Sequence, residues 1–196
     1  IVNPGKLPRD YQMDLCQRCH LQGVAVLNPG KSFYDFKPGM RLNEVMNIFL
    51  PRFQGQENQF IMASQADRLR MSACYIESEM SCITCHNPHV SVKETPITTF
   101  NSKCMDCHND GTCSVEDQEF ALNNGNCVGC HMPPSSSIDI PHVSITDHFI
   151  RKDYSGSHVA MDEYFPDVAS ILEMKLECLT DEQPNDITMT RGYLAF

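Results

Sequence analysis

Cys82-Ile-Thr-Cys85-His86 is the stretch on which the interpretation of this chain depends, because the pattern Cys-x-x-Cys-His occurs four times. The other copies are Cys16-Gln-Arg-Cys19-His20, Cys104-Met-Asp-Cys107-His108 and Cys127-Val-Gly-Cys130-His131. The pattern is typical of c-type haem attachment, in which two thiols bond to one porphyrin and the adjacent histidine becomes the proximal iron ligand. The sequence therefore predicts four haem c, with their iron, as cofactors.

The histidines outside these motifs equal the motifs in number. The chain has eight histidines, and the four outside the motifs are His89, His142, His148 and His158. If each is the distal ligand of one iron, every iron is six-coordinate with two histidines, and no open position remains for a substrate. This bis-histidine arrangement favours electron transfer. For His158, which lies among glycine and serine residues, a solvated loop histidine is the alternative.

Zinc sites and thioredoxin-type redox pairs share the Cys-x-x-Cys spacing. A zinc site does not require a histidine directly after every second cysteine, and a thioredoxin-type pair requires one motif at a strand–helix junction. Neither explains four copies of the same five-residue pattern. Haem attachment is therefore the favoured interpretation, with histidine preferred over methionine as the distal ligand.

Three cysteines lie outside the motifs, and they allow one internal disulfide at most. We predict a disulfide between Cys74 and Cys113, because both lie in the region where the motifs are densest. Cys178 would then be free or bonded to another chain. Eleven cysteines in 196 residues predict export to the periplasm or the extracellular space.

Composition limits the size and the partners of the protein. The length predicts a tetrahaem cytochrome domain over residues 1–160, followed by a helical C-terminal extension over 161–196. The formal charge of −10 disfavours nucleic acid as a partner, and no apolar stretch is long enough for a transmembrane segment. The chain begins without Met or a signal stretch, so we expect that a leader was removed or that the sequence is a piece of a longer protein.

The predicted fold is mainly α with extensive irregular loop and little β. An apolar fraction of 41% is low for a globular core, and we expect buried porphyrins to complete it. Apolar spacing predicts helices over about 42–50, 57–72 and 167–179. An N-cap with an acidic first turn predicts a helix over about 114–124, and we expect a further helix to begin near 186.

Several longer strings around the motifs match one protein family. These strings are Ser72-Ala-Cys74-Tyr, Met80-Ser-Cys-Ile-Thr-Cys-His-Asn-Pro-His89, Lys103-Cys-Met-Asp-Cys-His108, Cys127-Val-Gly-Cys-His-Met-Pro133 and Asp139-Ile-Pro-His-Val-Ser-Ile-Thr-Asp-His148. They resemble the multihaem c-type cytochromes related to the tetrahaem cytochromes of nitrifying bacteria, which are often joined to tetratricopeptide repeats. The resemblance covers about residues 3–151. It implies a multihaem cytochrome c fold wrapped around stacked and perpendicular haem pairs.

The expected function is electron transfer through closely spaced haems, with other redox proteins or copies of the chain as partners. Some relatives polymerise into extracellular cytochrome filaments, so the resemblance also implies that this chain could be a filament subunit. Others keep one iron five-coordinate, which leaves open a reductase or oxidase of a small nitrogen or sulfur compound. Arg151 and Lys152 are candidate partners for haem propionates, with solvated surface charges as the alternative.

Overall fold

The computed structural model describes residues 1–54, 62–108, 113, 125–136, 142–152 and 174–196. The α-helices of these parts are α1 (Arg9–His20), α2 (Gln65–Arg70), α3 (Ala73–Ile76), α4 (Cys82–Cys85), α5 (Ile97–Met105), α6 (Cys127–His131) and α7 (Asp186–Ala195). The strands are β1 (Val24–Leu27), β2 (Met46–Arg52), β3 (Pro134–Ser136), β4 (Ser144–Thr146) and β5 (Lys175–Cys178). Short 3₁₀ turns cover Pro4–Lys6, Leu42–Glu44 and Val92–Glu94.

The strands form two antiparallel sheets, one in the order β1-β2-β5 and one made of β3 and β4. β2 is the central strand of the larger sheet, and its residues 46–51 are all buried. β1 pairs with β2 only as far as Phe49, whereas β5 pairs with β2 from Phe49 to Arg52. Pro51 therefore lies where β1 has already ended, and its missing N–H costs the sheet no hydrogen bond to that neighbour.

The main apolar core lies around β2 and is covered by helices. α7 packs against all three strands of the larger sheet, and the Tyr193 hydroxyl accepts a hydrogen bond from the Leu176 amide at 3.2 Å. α1 contributes Met13 to the core. The buried residues of this cluster include Met13, Leu42, Val45, Met46, Ile48, Leu50, Leu69 and Leu179.

The prediction of a mainly α fold with little β is wrong, because the structure combines helices with two antiparallel sheets. Most of the predicted helix over 42–50 is strand β2. Its apolar residues pack on both faces of a central strand, and so they do not show the alternation that identifies a half-buried strand. The end of the predicted helix over 167–179 is strand β5, and residues 167–173 lie outside the described part.

Two other predicted helices are present at least in part. α7 begins at Asp186, as the sequence predicts, where the Asn185 side chain accepts a hydrogen bond from the Thr188 amide at 2.9 Å. Of the helix predicted over 57–72, residues 57–61 lie outside the described part, and within that part α2 covers Gln65–Arg70. The helix predicted over 114–124 lies outside the described residues. Among the helices that the structure describes, none has the length and apolar character needed to cross a bilayer.

Candidate functional site

The four Cys-x-x-Cys-His motifs lie in, or at the ends of, short helices. The first motif forms the last turn of α1, and the second forms α4 with His86 directly after it. The third runs out of the end of α5, and the fourth is α6 itself. α1 packs against α4, α4 against α5, and α5 against α6. The helices of the four motifs therefore contact one another in series.

Two imidazoles from distant parts of the sequence face each other. The ring centroids of His86 and His148 are 6.1 Å apart, with an angle of 30° between the ring planes. Phe100 of α5 contacts His86 edge-on, at 5.4 Å between ring centroids. The sequence predicted both histidines as ligands, and the structure brings these two together.

Backbone carbonyls define the orientation of two of the rings. His148 Nδ1 lies 3.0 Å from the Thr146 carbonyl oxygen, and His131 Nδ1 lies 3.0 Å from the Arg151 carbonyl oxygen. A carbonyl only accepts hydrogen bonds, so each neutral ring carries its proton on Nδ1 and its lone pair on Nε2. Metal-binding histidines commonly donate a hydrogen bond from their second ring nitrogen in this way. The same contact also fixes the rings of histidines that have only a structural role.

Burial keeps the facing imidazoles neutral. Removal from water lowers the pKa of His86 below 6.5, and nearby His20 lowers it further. Burial also lowers the pKa of His148, although its hydrogen bond to Thr146 acts in the opposite direction. A neutral imidazole is the form that can bind a metal or accept a proton.

A buried ion pair adjoins His148, and sequence analysis did not identify it. Arg68 of α2 donates to both carboxylate oxygens of Asp147, from Nε at 2.8 Å and from Nη2 at 2.7 Å. Their side chains are 2% and 3% exposed. Arg151 Nη2 lies 3.6 Å from the same carboxylate, so this candidate propionate partner faces Asp147. Lys152 is exposed.

The half-buried thiols pair between motifs. Cys16 of the first motif and Cys82 of the second are hydrogen-bonded, which lowers the pKa of Cys16 to about 7. Hydrogen bonding and burial raise the pKa of Cys82, whose sulfur also lies 3.8 Å from the Met13 sulfur. Burial and the neighbouring Cys127 raise the pKa of Cys104 to about 11.

The cofactor prediction requires correction. Within the described ranges, which include all four motifs, no group of three or more His, Cys, Asp or Glu side chains could hold a metal ion. The two cysteines and the histidine of one motif therefore do not converge on a metal position. The first cysteines instead meet those of other motifs, while Cys19, Cys107 and Cys130 are exposed. This finding overturns the prediction of four haem c with iron.

Three of the other predicted site histidines lie at the surface. His89 and His142 are exposed, as is His108, and His142 has a positive φ of 64°. His158 lies outside the described residues. Cys74 and Cys113 are both free thiols, so the predicted disulfide between them is not observed; Cys178 is also a free thiol.

A pocket of about 330 Å³ lies between the first residues of the chain and the segment that follows α4. Its lining includes Asn3, Pro4, Ile83, His86 and His89. Both histidines therefore border a space large enough for a small molecule.

Comparison with known proteins gives no further indication of the family. No protein-family model matches the chain, and no match was found among curated proteins or solved structures. The resemblance to multihaem cytochromes therefore stays a prediction from the quoted strings.

Proposed function

We propose that this chain is an electron-transfer protein whose redox chemistry takes place at its four Cys-x-x-Cys-His motifs. The observation that carries the proposal is the contact in series of α1, α4, α5 and α6, whose ends or lengths contain the motifs. Packed helices have axes about 8–10 Å apart. Redox groups at successive motifs would therefore be close neighbours, as stepwise electron transfer requires.

Each motif supplies two thiols, which can form and break a disulfide, and one imidazole, which can take up and release protons. In each step, a motif whose two thiols have been oxidised to a disulfide takes two electrons and two protons from the dithiol of its neighbour, and the neighbour becomes a disulfide in turn. No substrate bond needs to form or break. His86 is the histidine of the second motif and faces His148, so the imidazole pair lies on this path.

We infer that the carrier works outside the cytoplasm, with a basic redox protein or further copies of the chain as its partner. The cysteine content supports export, because thiol-rich chains of this size are typical of oxidising compartments. The formal charge of −10 supports a partner with a basic surface. A filament would require contacts between copies that keep their redox groups close.

Potentiometric titration of the full chain, purified from a host that exports it, tests the proposal. We expect reversible uptake of electrons in several steps. The double variant Cys82→Ser with Cys85→Ser removes the thiols of one motif, and it should remove one step. Cys178→Ser is the matched control, because it removes a half-buried thiol outside the motifs. A chain that takes up no electrons reversibly, or a titration that the double variant leaves unchanged, would refute the proposal.

A second candidate function is reduction of a small nitrogen or sulfur compound, which the pocket beside His86 and His89 favours. The chemically reduced protein would then be reoxidised rapidly by nitrite, hydroxylamine or sulfite. Ile83→Trp, which adds bulk to the pocket wall, should slow that reaction and leave the potentials unchanged. If reoxidation is slow and Ile83→Trp does not change its rate, the reductase function is refuted and electron transfer is the one function that remains proposed.

A further inference from the structure

We propose that Arg68 and Asp147 are positioning residues, which fix the imidazoles of His148 and His131 through the backbone of residues 147–151. This role rests on the proposed function, because the two imidazoles belong to the motifs or face them. Neither residue is assigned as a ligand or as a group that exchanges protons.

The ion pair is built for rigidity. Arg68 and Asp147 form two parallel hydrogen bonds, at 2.8 and 2.7 Å, and both side chains are almost completely buried. Such a fork-to-carboxylate contact fixes direction as well as distance. A buried ion pair loses much of its Coulombic gain to desolvation, so its presence is weak evidence for stability. The role of the pair is therefore geometric.

The pair holds the backbone on both sides of His148. Asp147 Oδ1 accepts a hydrogen bond from the Phe149 amide at 2.9 Å, and the Asp147 amide donates to the Pro133 carbonyl at 3.1 Å. The Ser72 hydroxyl donates to the His148 carbonyl at 3.1 Å and accepts from the Ile150 amide at 2.9 Å. The main chain at His148 is thus tied from three directions, and its ring is held opposite His86.

The same carboxylate connects this segment to the fourth motif. Arg151 lies 3.6 Å from Asp147 through Nη2, and its guanidinium stacks over the Phe149 ring at 4.4 Å. The Arg151 carbonyl oxygen accepts the hydrogen bond from His131 Nδ1 at 3.0 Å. Movement of Asp147 would therefore move both carbonyl partners, those of His148 and of His131.

Fixed rings matter because electron transfer and ligand binding depend on the position of Nε2. Functional side chains are held within about 0.5 Å by the contacts of their supporting residues. If the 147–151 segment relaxes, each ring can rotate and exchange its Nδ1–H form for the Nε2–H form. The two imidazoles would then lose their common orientation.

The test compares Asp147→Asn with Asp67→Asn, each made in the full chain. Asp67 is the matched control, because it forms a similar two-bond ion pair with Arg52, at 2.5 and 3.1 Å, and is also buried. Two-dimensional NMR of the ring nitrogens, recorded at one neutral pH, reports which nitrogen carries the proton. We expect Asp147→Asn to give mixed tautomers at His148 and His131 and to weaken the cross-peak between the His86 and His148 rings.

Asp67→Asn should keep the wild-type tautomers of both histidines and the cross-peak between the rings, even if it lowers the melting temperature as much as Asp147→Asn does. Arg68→Lys should reproduce part of the effect of Asp147→Asn, because lysine keeps the positive charge but lacks the guanidinium that bonds both carboxylate oxygens. If Asp147→Asn does not fold, Ser72→Ala replaces it, because it removes only the hydroxyl between His148 and Ile150. Unchanged tautomers in the folded variant would overturn the proposal, as would equal changes in Asp67→Asn.

A titration of the same variants separates this proposal from the proposed function. If the rings lose their orientation and at least one midpoint potential shifts, both proposals are supported. If the rings lose their orientation but the protein shows no reversible electron uptake in any form, the positioning role stands and electron transfer fails. If the rings stay fixed while the wild-type protein takes up electrons normally, the positioning role alone is overturned.

Discussion

Gly192→Ala tests how α7 packs on the sheet, and we expect it to destabilise the fold. Gly192 is buried in the middle of α7. A Cβ atom at this position would lie 2.7 to 2.8 Å from three atoms of the Phe49 ring. Phe49 is 0% exposed, at the centre of β2, so the ring cannot relieve the contact by turning into solvent.

Two opposing effects set the magnitude. Alanine is favoured over glycine inside a helix by about 1 kcal/mol. Carbon atoms in good contact are about 3.5–4.0 Å apart, so the new methyl group requires a displacement of nearly 1 Å, and such overpacking costs about 1–3 kcal/mol. Because the methyl group would meet three ring atoms at 2.7 to 2.8 Å, the upper part of that range applies, about 2–3 kcal/mol. Subtracting the helix preference of about 1 kcal/mol leaves a net loss of about 1–2 kcal/mol, which corresponds to a decrease in melting temperature of roughly 2–8 °C for a chain of this size.

Urea unfolding followed by circular dichroism measures this loss. Gly5→Ala is the matched control, because the atoms of the described residues that its new methyl group would meet are Asn3 Oδ1 at 3.4 Å and the Ile83 side chain at 4.0 Å. It should be neutral or slightly stabilising. Phe49→Leu should cost less in the Gly192→Ala background than alone, since the smaller side chain relieves the contact. A Gly192→Ala protein as stable as the wild type would refute this packing of α7.

Three further predictions concern other contacts. Alkylation of Cys16 in the folded chain should increase through about pH 7, and Cys82→Ala should shift this transition toward the ordinary thiol pKa of 9.0, as measured by mass spectrometry of peptides. Gly23→Ala should reduce the free energy of unfolding by about 2 kcal/mol or more, because its Cβ would lie 2.6 Å from the Phe49 carbonyl oxygen, which belongs to the paired backbone of β2. Urea unfolding measures this loss, and no loss would mean that β1 can shift to make room. Because burial lowers the pKa values of His86 and His148, unfolding takes up protons below about pH 6.5, so the free energy of unfolding should decrease as the pH falls through that range. His148→Gln should weaken this pH dependence in urea titrations at about pH 7.5 and 5.5, and an unchanged dependence would contradict the assignment.

The sequence was sufficient for local features and insufficient for the sheet. The start of α7 could be predicted because Asn185 caps it and Asp186 follows in the first turn. At β2 the sequence predicts a helix, because the apolar positions of 42–50 also fit helical spacing and Pro51 would end a helix. Only the presence of β1 and β5 on its two sides makes a strand there favourable. Those partners are remote in sequence, and periodicity carries no information about them.

The candidate site shows the same division between contiguous and distant residues. The motif residues could be predicted because each motif is a run of five residues. Arg68 could not, because its partner Asp147 lies 79 residues away and the distance between them is set by tertiary packing. One signal was available: Asp147 directly precedes His148 and lies four residues before Arg151. An acidic residue between a proposed ligand and a basic residue is a candidate for orienting both.

Because side chains of different motifs contact one another, substitutions in one motif should not act independently of those in its neighbours. Cys16 contacts Cys82, and His86 faces His148, so each local environment is shared by at least two distant segments. Removing one motif should therefore perturb its neighbours as well, and the effects of two such removals should not be additive where the motifs touch. Two double variants test this directly: one lacks the first and second motifs, whose helices touch, and the other lacks the first and fourth. The effect of each double variant is compared with the sum of its two single variants. Equal additivity in both pairs would mean that each motif acts alone, whatever the contacts between their helices.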